Sequence, residues 1–135
     1  MSAAERSGLR RRRLVYALIT LGIVACGLIW RRPELGLPQL VAKYGGSMLW
    51  GAMVFFVIAT LLPSAKLFRI GIIAAVVAAG VEFSQLIQIE WLDQFRRTAI
   101  GALMLGRTFT WWDIAAYWAG IALACAGAIT FQRTR

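Results

Sequence analysis

Four apolar runs, at residues 14–30, 47–62, 70–89 and 112–131, dominate this chain, and each is read as a helix that crosses a membrane. At a rise of 1.5 Å per residue, twenty residues span roughly 30 Å, the thickness of a bilayer's hydrocarbon core. Backbone groups inside lipid must be satisfied within their own segment, so helices are the expected form. Hydrophobic residues make up 60% of the 135 and charged ones only 16%, more apolar surface than a soluble domain of this size needs. The expected fold class is therefore all-α integral membrane. Residues 1–13 form a basic cytoplasmic N-terminus, 14–131 a single membrane domain, and 132–135 a cytoplasmic tail.

Punctuation between the runs refines this picture. Pro63 should end the second span, because proline cannot continue a helix. Residues 98–106 are also apolar, but nine residues reach only about 13 Å. They are expected to form a short re-entrant or interfacial helix before the last span. Residues 37–44 are expected to lie on the surface before the second span, and neither an internal repeat nor a low-complexity linker is visible.

The net charge of +9 does not point to nucleic acid, because the basic clusters sit at the ends of apolar runs. Arginines 10–13 precede Leu14, Arg31-Arg32 follow Trp30, and Arg133 and Arg135 follow Phe131. Such residues meet anionic headgroups and set topology. With the N-terminus in the cytoplasm, nine Lys and Arg fall inside and six outside (Arg31, Arg32, Lys43, Arg96, Arg97, Arg107). The same arrangement gathers Trp30, Trp50, Trp91, Trp111 and Trp112 near one interface. A cleaved signal with a lipoprotein-type box at Ile23-Val24-Ala25-Cys26-Gly27 is the competing reading of the first run. The run continues past Cys26 to Trp30 and stops at Arg31-Arg32, which favours an uncleaved anchor.

Several chemistries are absent from the composition. There is no histidine, and Cys26 and Cys125 are the only cysteines, at depths roughly 10 Å apart in the four-span arrangement. No disulfide, thiolate–imidazole metal site or histidine-based triad is expected, and no cofactor. Small residues recur every fourth position: Gly71, Ala75 and Ala79, then Ala74 and Ala78 leading to Glu82, and in the last run Ala116, Gly120, Ala124 and Ala128. Such ridges let helix backbones approach closely in lipid, so the third and fourth spans are expected to meet along them.

Glu82 lies inside the third run, where a carboxylate costs roughly 2.5–3.5 kcal/mol on insertion scales unless it faces protein or water. Gln85, three residues on, shares its face. Arg97 lies in the following loop, and arginine holds carboxylates or phosphates bidentately. The expected constellation is a hydrogen-bonded cluster of Glu82, Gln85 and Arg97, with Asp113 at its rim roughly 10 Å above Glu82. Arg96, Tyr117 and Ser47 are possible accessories. Each residue also has a plainer reading. Glu82 can simply fix helix packing. Arg96 and Arg97 can be solvated topology signals, and Asp113 an N-cap or first-turn acid.

The strings GVEFSQL, WLDQFRRT, IGALMLG, FTWWDIAAYWAG and KYGGSMLWGAMVF resemble a family of uncharacterised bacterial inner-membrane proteins of unknown function. More distantly the pattern is similar to the VanZ-like superfamily, with its Glu-x-x-Gln helix, an Arg after a short loop and an Asp opening the last helix. The likeness runs from Lys43 to Gly120 and carries Glu82, Gln85, Arg97 and Asp113. Tyr117 stands near where VanZ-like proteins tend to have Asn, and Ser47 where close relatives tend to have Asp. The resemblance implies a role in the bacterial envelope, at the inner membrane. The leading expectation is a non-catalytic VanZ-like protein whose polar site, in the outer half of the bundle, binds an anionic or lipid-linked envelope component, with membrane lipids as partners. The alternative is a small homo-oligomeric transporter or channel subunit using Glu82 as an ion or proton site. An enzyme is the third reading, with Glu82 and Asp113 as acid and base, but no activated nucleophile is visible.

The topology is directly testable. Cytoplasmic reporters fused to the C-terminus should be active and periplasmic reporters silent. The opposite pattern would rule out four spans with both termini inside.

Overall fold

The computed structural model describes residues 1–106 and 108–134; Arg107 and Arg135, both counted in the charge comparison, lie outside the described residues. Among the described residues the regular structure is all helical: α1 (Ala3–Trp30), α2 (Gln39–Leu61), α3 (Leu67–Ser84), α4 (Glu90–Arg97), α5 (Ala99–Leu105) and α6 (Trp111–Arg133), with a 3-10 turn at Pro33–Leu35. Four of these, α1, α2, α3 and α6, are long and apolar enough to cross a membrane.

The helix ends differ from the sequence expectation in instructive ways. α1 starts at Ala3, not at residue 14, so the four arginines ride on the same helix as the span. A capping box starts it: the Ser2 N–H donates to Glu5 Oε2 at 2.6 Å, and the Glu5 N–H donates to Ser2 Oγ at 3.2 Å. Residues expected on the surface before the second span instead make the first turns of α2, which begins directly after Pro38. Gly45 survives inside that helix because the Trp30 ring occupies the space a Cβ would need. α2 ends at Leu61, just before Pro63. α3 stops at Ser84, five residues short of the expected end at Ile89, with no proline or glycine to stop it. Its terminus is fixed by contacts from later in the chain, described below.

α2 is the central helix, packing on α1, α3 and α6, while α3 also packs on α6. The closest approach joins α2 to α6. A Cβ on Gly51 would run into the Tyr117 carbonyl, and one on Gly120 into the Met48 carbonyl. Gly120 thus sits against α2, whereas the sequence ridges suggested α3 as its neighbour. The α3 ridge does face inward: Ala74, Ala78 and Glu82 are all fully buried. Phe55, Ala59 and Ile70 are among the residues that pack around them in the core. At the opposite end from the α2–α6 starts, Gln132 Nε2 donates to Tyr16 Oη at 3.0 Å, tying α6 to α1.

The surface is inverted relative to a soluble protein. Leu14, Leu18, Leu21, Leu28, Phe68 and Val76 are exposed, while Ser47, Glu82, Gln85, Arg96 and Asp113 are buried. An apolar exterior around a polar interior suits lipid as the solvent.

The α2–α6 contact yields a simple test. Gly120→Ala should destabilise the full chain by about 1–3 kcal/mol or more in a detergent unfolding titration, because backbone cannot yield to a new methyl. Gly80→Ala, where a Cβ meets nothing within 4 Å, should leave stability unchanged or slightly raised.

Candidate functional site

At the end of the bundle where α1 and α3 finish and α2 and α6 begin, several segments converge on one carboxylate. Glu82, in the last turn of α3, has no exposed surface. Its Oε1 accepts from the Thr110 backbone N–H at 2.9 Å. Its Oε2 accepts from Gln85 Nε2 at 3.0 Å and from Tyr117 Oη at 3.0 Å. Three donors on two oxygens leave the carboxylate well satisfied, the condition under which burial is tolerable. Among the described residues Glu82 forms no ion pair.

The donors are held by ordinary local structure. Gln85 follows α3 on a helical turn, and its Nε2 also donates to the Leu105 carbonyl at 2.7 Å. That fixes the amide with its Oε1 unpartnered. Gly106, at φ 67°, makes the bend beside it, and a Cβ there would meet Gln85 Nε2 at 2.6 Å. Tyr117 is oriented by Trp50, whose ring centroid lies 4.7 Å away. Phe109 stacks on Phe83 at 5.5 Å and packs edge-on against Trp111, holding the segment before α6 against α3.

Thr110 joins the two acids. It is the N-cap of α6, accepting at Oγ1 from the Asp113 N–H at 3.3 Å. Its hydroxyl donates to Asp113 Oδ2 at 2.6 Å while its N–H goes to Glu82. Ser47 Oγ, on α2, reaches Asp113 Oδ1 at 3.2 Å, and Lys43 Nζ lies 3.8 Å from Asp113 Oδ2. Lys43 is about half exposed, so that pair is worth about 0–1 kcal/mol.

Of the expected constellation, Glu82, Gln85 and Asp113 come together, joined by Tyr117 and Ser47, and Arg97 does not. Arg97 is exposed, outside the cluster. The buried arginine is its neighbour Arg96, whose Nη1 donates to the Ile87 carbonyl at 2.9 Å and to Asp93 Oδ1 at 3.0 Å. Its Nη2 donates to the Ser84 carbonyl. Helical register explains the exchange: Asp93 and Arg96 are i and i+3 on α4, and the next residue points about 100° away. Spacing alone did not single out Arg96, because Asp93 stands equally well placed to pair with Arg97 at i,i+4. Because α3 ends at Ser84, Glu82 belongs to a helix terminus, and one residue bridges both acids. Thr110, Lys43 and Arg31 escaped the sequence reading; Thr110-x-x-Asp113 before an apolar run is a helix-start pattern that points to the first of them.

Beside the cluster lies a recess of about 350 Å³, walled by Arg31, Lys43, Ser47, Gln85, Asp113 and Tyr117, with Ala102 and Gly106 at its edge. Its lining carries two cations, three hydroxyls (Ser47, Thr108 and Tyr117), the Gln85 amide and the Asp113 carboxylate, beside which Lys43 is already placed. Cys26 and Cys125 are unpaired, and among the described residues no group of three His, Cys, Asp or Glu side chains is arranged around a metal position.

An all-helical bundle with four membrane-length apolar helices and a buried carboxylate beside a polar recess defines a small polytopic membrane protein with an embedded polar site. Residues 36–121, more than half of the chain, match the family described as "Protein of unknown function (DUF2809)", and the protein belongs to that family. No solved structure matches the chain significantly.

The hydrogen-bond assignments separate two arginines and one tyrosine by stability. Tyr117→Phe and Arg96→Gln should each cost about 1.5–3 kcal/mol, as bonds to a charged partner or from one are lost. Arg97→Gln should stay within about 0.5 kcal/mol of the parent. Unfolding of the full chain in detergent micelles reads all three.

Proposed function

We propose that this chain is a VanZ-like, non-catalytic protein of the bacterial inner membrane whose recess binds an anionic or lipid-linked envelope component. Both termini are cytoplasmic in this reading, α4 and α5 lie at the outer interface, and the recess opens toward the outer leaflet. The observation that carries it is that Arg31 and Lys43 both line one recess with Gln85, Tyr117 and Asp113, the last lying 3.8 Å from Lys43 Nζ. Arg31 and Lys43 are both exposed, and two cations on one recess favour a phosphate or carboxylate ligand. The recess volume falls within the range of about 300–1,000 Å³ common for small-ligand sites. Three donors fixed on Glu82 support a role as an anchored acceptor that holds the wall in shape rather than a mobile proton carrier.

Native mass spectrometry of the gently solubilised protein tests this reading and also counts copies. An anionic lipid or lipid-linked component should remain bound, and Lys43→Glu should weaken its retention about tenfold or more. Lipid retention no greater than for an unrelated four-span protein, and unaltered by Lys43→Glu, would remove the binding function.

A further inference from the structure

The opposite end of the bundle, where both termini emerge, carries a second cavity of about 220 Å³ between α1 and the end of α6. Its α1 wall is Gly8, Arg11, Arg12, Val15 and Tyr16, residues that recur at the three- and four-residue spacing of one helix face. Phe131 and Gln132 of α6 close the other side. Two of the four consecutive arginines thus share a cavity, while Arg10 and Arg13 stand outside its lining. Tyr16 is the fixed floor, buried, with its ring centroid 5.9 Å from that of Phe56 on α2. Gln132 donates one amide proton to the Tyr16 hydroxyl at 3.0 Å, and among the described residues its second amide proton has no acceptor. No acidic side chain among the described residues lines this cavity, in contrast to the recess. Arg11 and Arg12 are exposed, and among the described residues neither is in an ion pair.

We infer that this cavity holds the phosphate of an anionic phospholipid from the leaflet that faces both termini. The site is independent of the recess and of the function proposed for it. Depth points to a lipid as the source of the phosphate. Tyr16 stands two residues into the apolar run that begins at Leu14, and Phe131 ends the last run. The cavity therefore lies where hydrocarbon gives way to headgroups, and basic pockets between membrane helices take headgroups at that level. Two guanidinium forks with no carboxylate competing in the lining match the oxygens of one phosphate, and Gln132 adds a neutral donor. The volume is below the roughly 300–1,000 Å³ of sites that enclose a drug-sized ligand. It admits a headgroup and leaves the acyl chains in the bilayer.

The experiment titrates the full chain in phosphatidylcholine nanodiscs with dioleoylphosphatidic acid, whose headgroup is a phosphate alone, and reads retention by native mass spectrometry. Ammonium acetate at about 0.15 M largely screens charges more than about 8 Å apart. The double variant Arg11→Gln/Arg12→Gln should bind about tenfold more weakly or worse, as charge-assisted bonds to the phosphate are lost. Arg10→Gln/Arg13→Gln removes the same charge outside the cavity and should weaken binding by less than about threefold. Gly8→Leu fills the cavity without changing charge, at a position where a Cβ meets nothing within 4 Å. It should weaken binding about tenfold. Gly22→Leu, exposed farther along the same helix and equally free of neighbours, should leave binding unchanged. Lys43→Glu, in the recess at the other end, should preserve the difference between the two double variants. Equal losses from those variants, a difference that vanishes with Lys43→Glu, or a Gly8→Leu chain that binds normally overturns the site. Glycerol 3-phosphate bound as tightly as the lipid overturns the lipid source.

Discussion

A carboxylate without exposed surface, on a helix otherwise made for hydrocarbon, can persist only if its own protein supplies hydrogen-bond donors. Here they come from the end of α3 itself, from the backbone before α6 and from the α6 phenol. Because those segments are far apart in sequence, satisfying Glu82 is the same event as bringing α3, the α5–α6 connection and α6 together. An apolar side chain at this position would pack but would not specify that arrangement. Removing one member of such a network leaves the others unpaired in a low-dielectric setting, which is why polar clusters at membrane depth make one arrangement strongly preferred.

The same end of the bundle shows how a helix can be stopped without a stop residue. After Ser84 the chain turns through Gln85 and Leu86, with the Ile87 N–H donating to the Ser84 carbonyl at 3.1 Å, and is extended at Ile89. Arg96 donates to the Ser84 and Ile87 carbonyls, and the Gln85 amide is drawn to Leu105. The Arg96 bonds satisfy carbonyls at and just after the end of α3, the Gln85 bond one at the end of α5, and together they seat the short helices α4 and α5 against the end of α3. The result is a polar, partly enclosed region within an otherwise apolar molecule, where a recess with two cations can form.

Packing on the other side is governed by size rather than polarity. Gly51 and Gly120 let α2 and α6 touch backbone to backbone, and that close approach brings Lys43 and Ser47 of α2 to Asp113 of α6. The candidate site therefore depends on two unlike devices: a satisfied carboxylate on the α3 side and a glycine contact on the α2 side. α1 contributes differently. It packs mainly on α2, keeps most of its leucines outward, and offers the site little besides Arg31.

The sequence by itself determined the class of fold. Length and hydropathy of the runs specify four apolar helices, proline position specifies the end of α2, and the length of residues 98–106 specifies a helix too short to cross. These properties are local and need no partner to be read. It also singled out Glu82, Gln85, Asp113, Tyr117 and Ser47, because polar groups inside apolar runs stand out wherever they finally point. What the sequence could not decide was partnership. Whether Arg96 or Arg97 turns inward depends on the register of α4 against α3, one residue of which rotates a side chain by about 100°. Whether Gly120 meets α3 or α2 depends on how the bundle is arranged, since both neighbours offer small residues. The surroundings of Glu82 depend on where α3 ends, and that end is held by the Arg96 side chain of α4 and by Gln85, the cap of α3, reaching the Leu105 carbonyl of α5. Hydrogen bonds between distant segments carry no trace in local composition, so only the tertiary structure could decide them.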